Sequence, residues 1–236
     1  MIGYLHSFQS MGGADGPGMR CVVFLQGCPL RCCYCHNPDT WEFTKENPTT
    51  VEELVNKILR YRPYFGEKGG VTVSGGEPLA QADFVAELFA RLQDHGIHTA
   101  VDTSCHGSVE DMKKVLAVTN LALCDVKFPT QELYQTHCGG SLEKVKTFLS
   151  LAQEMKVPVW VRHVVVPGLT DSYESLQQVA AIARSCQTLE KIELLPFKNL
   201  CEEKYTAKGI PFPLQHTPAC SSQTIEHLYE KLKEWE

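Results

Sequence analysis

The feature that most constrains this fold is an alternation of apolar runs with amphipathic segments along most of the chain. Six runs are rich in β-branched residues and lack a regular polar alternation, which is typical of parallel strands covered on both faces. They are Cys21–Gln26, Val71–Ser74, Ile97–Asp102, Leu121–Val126, Pro158–Val166 and Lys191–Leu195. This pattern predicts six buried strands.

Amphipathic segments with helical spacing lie between these strands. They are Val51–Tyr61, Gln81–His95, Val109–Val118, Leu142–Met155 and Tyr173–Ser185, and a further one follows at Thr224–Lys233. The first begins after Thr49 and Thr50 and carries Glu52 and Glu53, a combination that favours a helix start. Strand and helix therefore alternate as repeated βα units.

The length of the chain limits how far these units can close. A closed barrel of eight βα units usually needs about 250 residues, whereas this chain has 236 and leaves little after Pro196. We therefore expect an α/β fold, a partial (β/α)6 TIM-like barrel in a single domain spanning residues 1–236. Its core covers about 16–200, and 201–236 form a helical extension. A doubly wound open sheet is the alternative, because strand order cannot be read from the pattern.

Charge and composition exclude several classes of function. The formal net charge is -6 and the basic residues are dispersed, which argues against nucleic-acid binding. No apolar stretch reaches about 18 residues, and the N-terminus lacks a basic start followed by an apolar run. We expect no membrane partner and a cytoplasmic location. The eleven cysteines should then be thiols or metal ligands rather than disulfides.

Polar residues follow nearly every predicted strand. Ligands of parallel α/β folds bind at the carboxyl ends of the strands, so these positions should share one mouth. They are Ser74, Gly75, Gly76 and Glu77 after the second strand, Asp102 and Thr103 after the third, Asp125, Val126 and Lys127 after the fourth, Arg162 on the fifth, and Lys198 after the sixth.

The first strand leads into a cysteine-rich loop with the spacing C-x3-C-x2-C, formed by Cys28, Cys32 and Cys35. Thiolates bind the irons of iron-sulfur clusters, usually four for four irons. A cradle of three leaves one iron open, and an amino acid with adjacent amine and carboxylate groups can chelate it. Cys33 adjoins Cys32 and should point elsewhere.

Three other interpretations of this loop are weaker. A Cys3His zinc site with His36 would lack the paired outer ligands of common structural zinc sites. The C-x-x-C-H spacing that ends at His36 matches haem attachment, which normally follows export. A dithiol redox site at Cys32 and Cys35 would leave Cys28 and the polar strand ends unexplained.

The cysteine loop, with an aromatic residue before its last Cys and Gly-Gly-Glu-Pro after the next strand, resembles the radical S-adenosylmethionine (SAM) superfamily. Further segments are similar to the glycyl radical enzyme activases within it, from about residue 2 to 200. They are His6-Ser7-Phe8, Asp15-Gly16-Pro17-Gly18-Met19-Arg20, Tyr34-Cys35-His36-Asn37, Asp39-Thr40-Trp41, Val159 to Arg162, Val164 to Gly168, and Lys191 to Pro196. No extra Cys-rich cluster is inserted before Gly75, which favours the pyruvate formate-lyase branch. Lys198 departs from the His that the family often has there.

The resemblance implies one 4Fe-4S cluster on Cys28, Cys32 and Cys35, and reductive cleavage of SAM to methionine and a 5'-deoxyadenosyl radical. That radical takes a hydrogen atom from a glycine of pyruvate formate-lyase, and a flavodoxin or ferredoxin type protein donates the electron. The resemblance also implies roles for individual residues. Contacts to SAM would come from Tyr34, Cys35, His36, Asn37, Ser74, Gly75, Gly76, Glu77, Asp125, Val126, Lys127, Arg162 and Lys198; a monovalent cation, sodium or potassium, would bind Asp102, Thr103 and Asp125; the substrate protein would contact Asp15, Gly16, Pro17 and Gly18.

Two rival functions stay open on sequence alone. The chain could be a radical SAM enzyme acting on a small molecule, such as a deazapurine synthase, in which case Asp15 to Arg20 is only a turn. It could also be an iron-sulfur or zinc protein without catalysis. The six cysteines outside the loop and its neighbourhood, among them Cys138 and Cys186, show no ligand spacing and are expected to be packing residues.

Overall fold

The computed structural model describes residues 1–234. Its eight strands are β1 (Ile2–Gly12), β2 (Arg20–Leu25), β3 (Pro48–Thr50), β4 (Gly70–Gly75), β5 (His98–Thr103), β6 (Leu121–Asp125), β7 (Val159–Val165) and β8 (Leu189–Pro196). Its eight α-helices are α1 (Val51–Leu59), α2 (Ala82–Asp94), α3 (Val109–Leu116), α4 (Gln131–Cys138), α5 (Leu142–Glu154), α6 (Tyr173–Arg184), α7 (Glu202–Ala207) and α8 (Ser222–Glu234). All six predicted strands and all six predicted helices are present.

The strands form one sheet in the order β3-β1-β2-β4-β5-β6-β7-β8. From β2 to β8 each strand of the sheet is parallel to its neighbour, and these six strands follow one another in chain order except that β3 lies between β2 and β4 in the sequence. A doubly wound sheet would reverse its order at a switch point, so the partial barrel is confirmed and the alternative is wrong. Within residues 1–234, β3 and β8 pair on one side only, which leaves the sheet open.

Two strands and two helices were not predicted. The antiparallel strand β1 lies beside β2 and carries β3 at its outer edge, while α4 and α7 follow the fourth and sixth parallel strands. The predicted extension contains α7 and α8, and residues 235–236 lie outside the described part of the chain. Among the described residues, no helix has the length and apolar character to cross a membrane.

Side-chain alternation gives the sheet two different faces. On β4, for example, Val71 and Val73 are fully buried in the main apolar core, whereas Ser74 lines a cavity. Two of the helices that cover the sheet begin with a reciprocal capping box: the Thr50 side chain caps α1 and the Ser108 side chain caps α3. The face of the sheet that carries Ser74 lines the cavity instead of the apolar core, so this face can carry polar groups.

Candidate active site

A cavity of about 280 Å³ opens at the carboxyl ends of the parallel strands. Most of the predicted site residues line it, together with apolar and aromatic neighbours. The wall comprises Asp15, Phe24, Cys28, Leu30, Cys32, Tyr34, Cys35, His36, Asn37, Thr40, Trp41, Ser74, Gly75, Gly76, Asp102, Ser104, Asp125, Lys127, Arg162, Val164 and Leu195. The structure therefore brings the cysteine loop and residues of all six parallel strands to one place.

Three thiols of the cysteine loop, those of Cys28, Cys32 and Cys35, lie on this wall, and Cys33 does not. The loop turns within itself, because the Cys35 amide donates to the Cys32 carbonyl (3.0 Å). Its start is anchored by the Cys28 amide, which donates to the Trp41 carbonyl (3.2 Å). This arrangement faces three soft sulfur ligands into one cavity, and that donor set fits an iron-sulfur cluster.

The loop thiols sit in a protein interior that disfavours free thiolates. Burial, reinforced by nearby acidic groups, raises the pKa of Cys28 to about 12, and burial also raises the pKa of Cys35 to about 11. The Cys32 thiol differs, because a hydrogen bond with the Cys138 side chain lowers its pKa. Bound iron would displace these protons, so loading of the site releases protons.

Helix α7 and the segment that precedes it pack over the cysteine loop. The Tyr205 hydroxyl, on α7, donates to the Cys35 carbonyl (3.1 Å). Its neighbour Lys204 donates to Asn37 Oδ1 (2.8 Å) and forms an ion pair with Asp39 (3.1 Å). His36 Nε2 lies 2.7 Å from the carbonyl oxygen of Lys198. We call this set of contacts the α7 clamp.

Gly75 and Gly76 are required by the approach of neighbouring backbone. A Cβ atom at Gly75, whose φ is 106°, would lie 2.3 Å from the amide nitrogen of Leu25. A Cβ atom at Gly76 would lie 2.1 Å from the carbonyl oxygen of Gly27. Both distances are far inside van der Waals contact, so only glycine lets β4 pass this close to the start of the cysteine loop.

Glu77 does not line the cavity; it ties two loops together. Its carboxylate is fully buried and accepts from the Leu79 amide (3.0 Å), the Thr103 hydroxyl (2.5 Å) and the Ser104 amide (2.9 Å). The Ser104 hydroxyl donates to it as well. Because the Glu77 oxygens are used within the protein, the loop after β4 and the loop after β5 are held in fixed relation.

A buried charge network forms the inner wall of the cavity. Arg162 Nη1 lies 3.1 Å from Asp102 Oδ2, which also accepts from the Ser74 hydroxyl (2.7 Å). On the other side, Arg162 Nε lies 3.5 Å from Glu193. Burial raises the pKa of Asp102 to about 6 despite the Arg162 charge. Asp102 Oδ1 is buried and has no hydrogen-bond partner among the described residues.

A second pair of charges lies beside the aromatic side of the cavity. Lys127 donates to Asp125 (2.8 Å), and both side chains are mostly buried. Burial lowers the pKa of Lys127, but the Asp125 charge and other neighbours outweigh it, so the net shift is upward and the amine stays protonated. The Tyr34 hydroxyl donates to the Lys127 backbone carbonyl (3.3 Å). The wall thus offers a fixed positive charge next to an aromatic ring.

The turn that joins β1 to β2 reaches the cavity through a single residue, Asp15. The Asp15 carbonyl accepts from the Thr72 hydroxyl (2.6 Å), and Arg20 Nη1 donates to the Pro17 carbonyl (3.0 Å). Burial raises the pKa of Asp15, against the opposing charges of Arg162 and Arg20. The turn is thereby fixed against the sheet with its carboxylate facing inward.

The structure does not place every predicted site residue on the wall. Thr103, bonded to Glu77, is directed away from Asp102 and Asp125, so the three groups of the predicted cation site are not gathered. Seven residues assigned to the site are absent from the wall: Gly16, Pro17, Gly18, Glu77, Thr103, Val126 and Lys198. Their roles stay predictions.

Sequence reasoning also missed residues that shape the site. Trp41 lies on the wall with Arg31 stacked 5.0 Å from its ring centroid, and Tyr205 meets its edge at 5.8 Å. Phe24 and Val164 belong to strands whose apolar character predicted burial but not which face each side chain takes. The alternation of side chains along β2 and β7 is the signal that could have identified them.

Comparisons with known proteins show the family of the chain. The profile of the radical SAM superfamily matches residues 22–179. A pyruvate formate-lyase-activating enzyme of Clostridium pasteurianum is 41% identical over 235 residues, covering 99% of this chain and 98% of the relative. One from Staphylococcus epidermidis is also 41% identical, covering 96% of this chain and 94% of the relative.

A solved structure supports the fold. The radical SAM methyltransferase from Sphaerobacter thermophilus is similar with a TM-score of 0.66 at 16% identity, over 91% of this chain and 64% of that one. At this identity the likeness concerns the fold alone, whereas the two relatives above extend over nearly the full length. The chain therefore belongs to the radical SAM superfamily and, within it, to the family of pyruvate formate-lyase-activating enzymes.

Proposed function

We propose that this chain activates a pyruvate formate-lyase by generating a glycyl radical on it. The observation that carries the proposal is the cavity in which Cys28, Cys32 and Cys35 face the charges of Lys127 and Arg162. As a member of the radical SAM superfamily, the chain uses a 4Fe-4S cluster and SAM. The chemistry these groups supply when bound is one-electron cleavage of SAM to methionine and a 5'-deoxyadenosyl radical, which abstracts a hydrogen atom from glycine.

The charged residues are suited to bind and orient the amino acid part of SAM. Arg162 and Lys127 hold positive charge at fixed positions, each locked by a carboxylate, and can meet the carboxylate of SAM. Asp125, whose Oδ2 accepts from Lys127, has a carboxylate that can also accept from a ribose hydroxyl. Since both cationic side chains are held in place before any ligand arrives, they lose little further conformational entropy when SAM binds.

The aromatic end of the cavity is suited to the adenine. Tyr34 is buried with its hydroxyl bonded to backbone, and Asn37 is held by Lys204 of the α7 clamp. These contacts fix the ring and the amide in place before the adenine binds. His36 lies on the same wall, tied to the backbone of Lys198, so Lys198 contributes through its carbonyl rather than its exposed side chain.

A protein substrate fits the open sheet better than a small molecule does. Within residues 1–234, β8 is the last strand of the sheet, and its Leu195 shares the cavity wall with Asp15. In this proposal the partner enters from the side of the cavity beyond β8. Asp15 can accept hydrogen bonds from the amides of an incoming glycine-bearing loop. In this proposal the turn from Asp15 to Gly18 contacts the partner, and Asp15 is the residue of the turn that reaches the cavity.

Three accompanying predictions remain separate from this proposal. A sodium or potassium ion could use Asp102 Oδ1, which has no partner among the described residues, with Asp125; Thr103 would have to leave Glu77 to join them. A flavodoxin or ferredoxin type protein remains the predicted electron donor. Cytoplasmic location remains a prediction too.

Cysteine variants test the proposal directly. After anaerobic reconstitution, Ala variants of Cys28, Cys32 and Cys35 should each lose the cluster, whereas Cys33→Ala should keep it as the matched control. With dithionite and SAM, the wild type and the control should release 5'-deoxyadenosine and produce a glycyl radical signal on pyruvate formate-lyase by electron paramagnetic resonance. Release of 5'-deoxyadenosine without any glycyl radical would favour a small-molecule substrate, and no release would remove both enzyme functions.

A further inference from the structure

The backbone that carries the Asp125 and Lys127 side chains continues past the end of strand β6. The pairing of β5 with β6 ends at Cys124. On the side of β7, the Val126 amide still donates to the Arg162 carbonyl (2.9 Å). Backbone polar groups at the wall of a largely buried site need hydrogen-bond partners. Those of Asp125 and Lys127 therefore need partners other than a strand of the sheet.

A single hydroxyl, that of Tyr134, supplies two of these partners. Its oxygen accepts from the Lys127 amide (2.8 Å), and its proton is donated to the Asp125 carbonyl (3.2 Å). A phenol has one proton to donate, so the donor capacity of this hydroxyl is used within the one segment. The hydroxyl bridges the residues on either side of Val126 and fixes the spacing at which their side chains enter the cavity.

The Tyr134 ring has little freedom to move. It is fully buried, the His106 ring stacks on it with centroids 6.3 Å apart, and the Phe128 ring meets it at 80° with centroids 6.2 Å apart. His106 is itself fixed, because its two ring nitrogens lie 2.7 Å from the Ser104 carbonyl oxygen and 2.8 Å from the Ser141 amide nitrogen. The hydroxyl therefore holds the segment that it bridges at one position.

Tyr134 belongs to helix α4, and the C-terminal end of this helix holds the cysteine loop. About one turn beyond Tyr134, the Cys138 carbonyl accepts from the Arg31 amide (2.9 Å), and the His137 carbonyl accepts from the Cys33 amide (2.8 Å). These two bonds lie on either side of the loop's central thiol. One short helix thus joins the cysteine loop to the charged pair that is assigned to SAM.

We propose that Tyr134 is a positioning residue that, through α4, holds the Asp125–Lys127 pair in fixed relation to the cysteine loop and thereby strengthens the binding of SAM. The inference rests on the proposed function, in which this pair contacts SAM. Without the hydroxyl, the Lys127 amide loses its partner and the segment gains freedom to move. The pair would then have to be ordered when SAM binds, and that ordering lowers the affinity.

Tyr134→Phe tests this inference in the reconstituted, full-length protein. The Kd for SAM is measured by anaerobic isothermal titration calorimetry with the oxidised cluster, which lacks the electron for cleavage, so the readout is binding. We expect full iron content and a Kd about tenfold above that of the wild type. The matched control is Tyr229→Phe. It removes another phenol oxygen that accepts from a backbone amide, that of Leu194 (2.8 Å), outside the cavity wall, and should bind SAM as the wild type does.

Steady-state kinetics separate positioning from general damage to the fold. With dithionite as reductant, the KM for SAM in the uncoupled release of 5'-deoxyadenosine should rise about tenfold, while the maximal rate stays within about twofold of the wild type. The rate is retained because the ordered pair makes the same contacts once SAM is bound. A maximal rate that falls further assigns Tyr134 to the integrity of the site as a whole and overturns the inference.

The remaining outcomes are equally clear. Full iron content with a Kd within about threefold of the wild type overturns the inference. If Tyr134→Phe fails to hold iron, hydrogen exchange of the cluster-loaded wild type decides. The Lys127 amide should exchange slowly before SAM is added, and SAM should slow it by no more than about twofold. A larger slowing would show that SAM, and not Tyr134, orders the segment. A wild type that does not bind SAM would instead refute the proposed function.

Discussion

Replacing Glu77 by glutamine should destabilise the fold, because the carboxylate accepts four hydrogen bonds in a fully buried position. An amide has one accepting oxygen, and in either orientation its NH2 group faces the backbone amide of Leu79 or of Ser104. The hydroxyls of Thr103 and Ser104 can rotate, but a backbone N–H cannot. Losing one bond to a charged acceptor costs about 1.5–3 kcal/mol, and an unpaired buried donor costs about 1–3 kcal/mol. We expect a loss of about 3 kcal/mol in the free energy of unfolding.

Urea unfolding of the cluster-free, reduced protein, followed by far-ultraviolet circular dichroism, measures this loss. With a urea dependence of about 3 kcal/mol/M, the unfolding midpoint should fall by about 1 M. Glu67→Gln, at an exposed loop position, makes the same chemical change without buried partners and should leave the midpoint in place. A Glu77→Gln midpoint within about 0.2 M of the wild type refutes the reasoning. If such a protein also failed to bind SAM, Glu77 would be a cofactor contact, as predicted from sequence.

Three further predictions follow from single contacts. Gly76→Ala should lower the free energy of unfolding by at least about 3 kcal/mol, and with it the urea midpoint, since its Cβ would overlap a carbonyl oxygen. The control Gly13→Ala, whose Cβ meets nothing within 4 Å, should leave the midpoint unchanged; equal midpoints for the two variants would contradict the prediction. Burial and the Arg20 charge lower the pKa of His98 to about 4. The unfolded chain therefore binds more protons than the folded chain between pH 6.5 and 4, and the free energy of unfolding should fall as the pH drops through that window. His98→Gln should lose less of this free energy between pH 7 and 5 than the wild type does, and an equal loss in both proteins counts against the prediction. Asp15→Ala should keep its cluster and its uncoupled release of 5'-deoxyadenosine while losing activation of pyruvate formate-lyase. Activation at the normal rate would show that the segment from Asp15 to Gly18 only forms a turn and does not bind the partner.

The parallel strands of the fold were predictable, whereas its antiparallel strands were not. Strands buried on both faces are nearly continuous apolar runs, so β2, β4, β5, β6 and β7 were recognisable. The parallel strand β8 was recognised from its apolar residues although it lies at the edge of the sheet and is mostly half-buried or exposed rather than buried as predicted. The antiparallel strand β1 has half-exposed polar positions, and the edge strand β3 has only three residues, so neither carries a strong pattern. The short helices α4 and α7 offer too few turns for periodicity to show.

In the site, the sequence predicted which residues lie at the ends of the strands, but not which way each side chain points. Asp102 and Thr103 both follow a strand, yet alternation sends the first to the cavity and the second to Glu77. The same rule places Asp125 and Lys127 on the wall and leaves Val126 in the core. Contacts between distant segments, such as those of the α7 clamp, have no local signature at all.

The α7 clamp also has a consequence for how the protein matures during synthesis. Tyr205 follows Cys35 by 170 residues. At 5 to 20 residues per second, the ribosome needs roughly 10 to 30 s to make that stretch. During this interval the thiols of the loop have left the ribosome while the parts that enclose them do not yet exist. The enclosure of the loop is therefore complete only once the segment with Tyr205 has been made, and oxygen that reaches the nascent chain before then meets sulfurs that the finished protein would shelter.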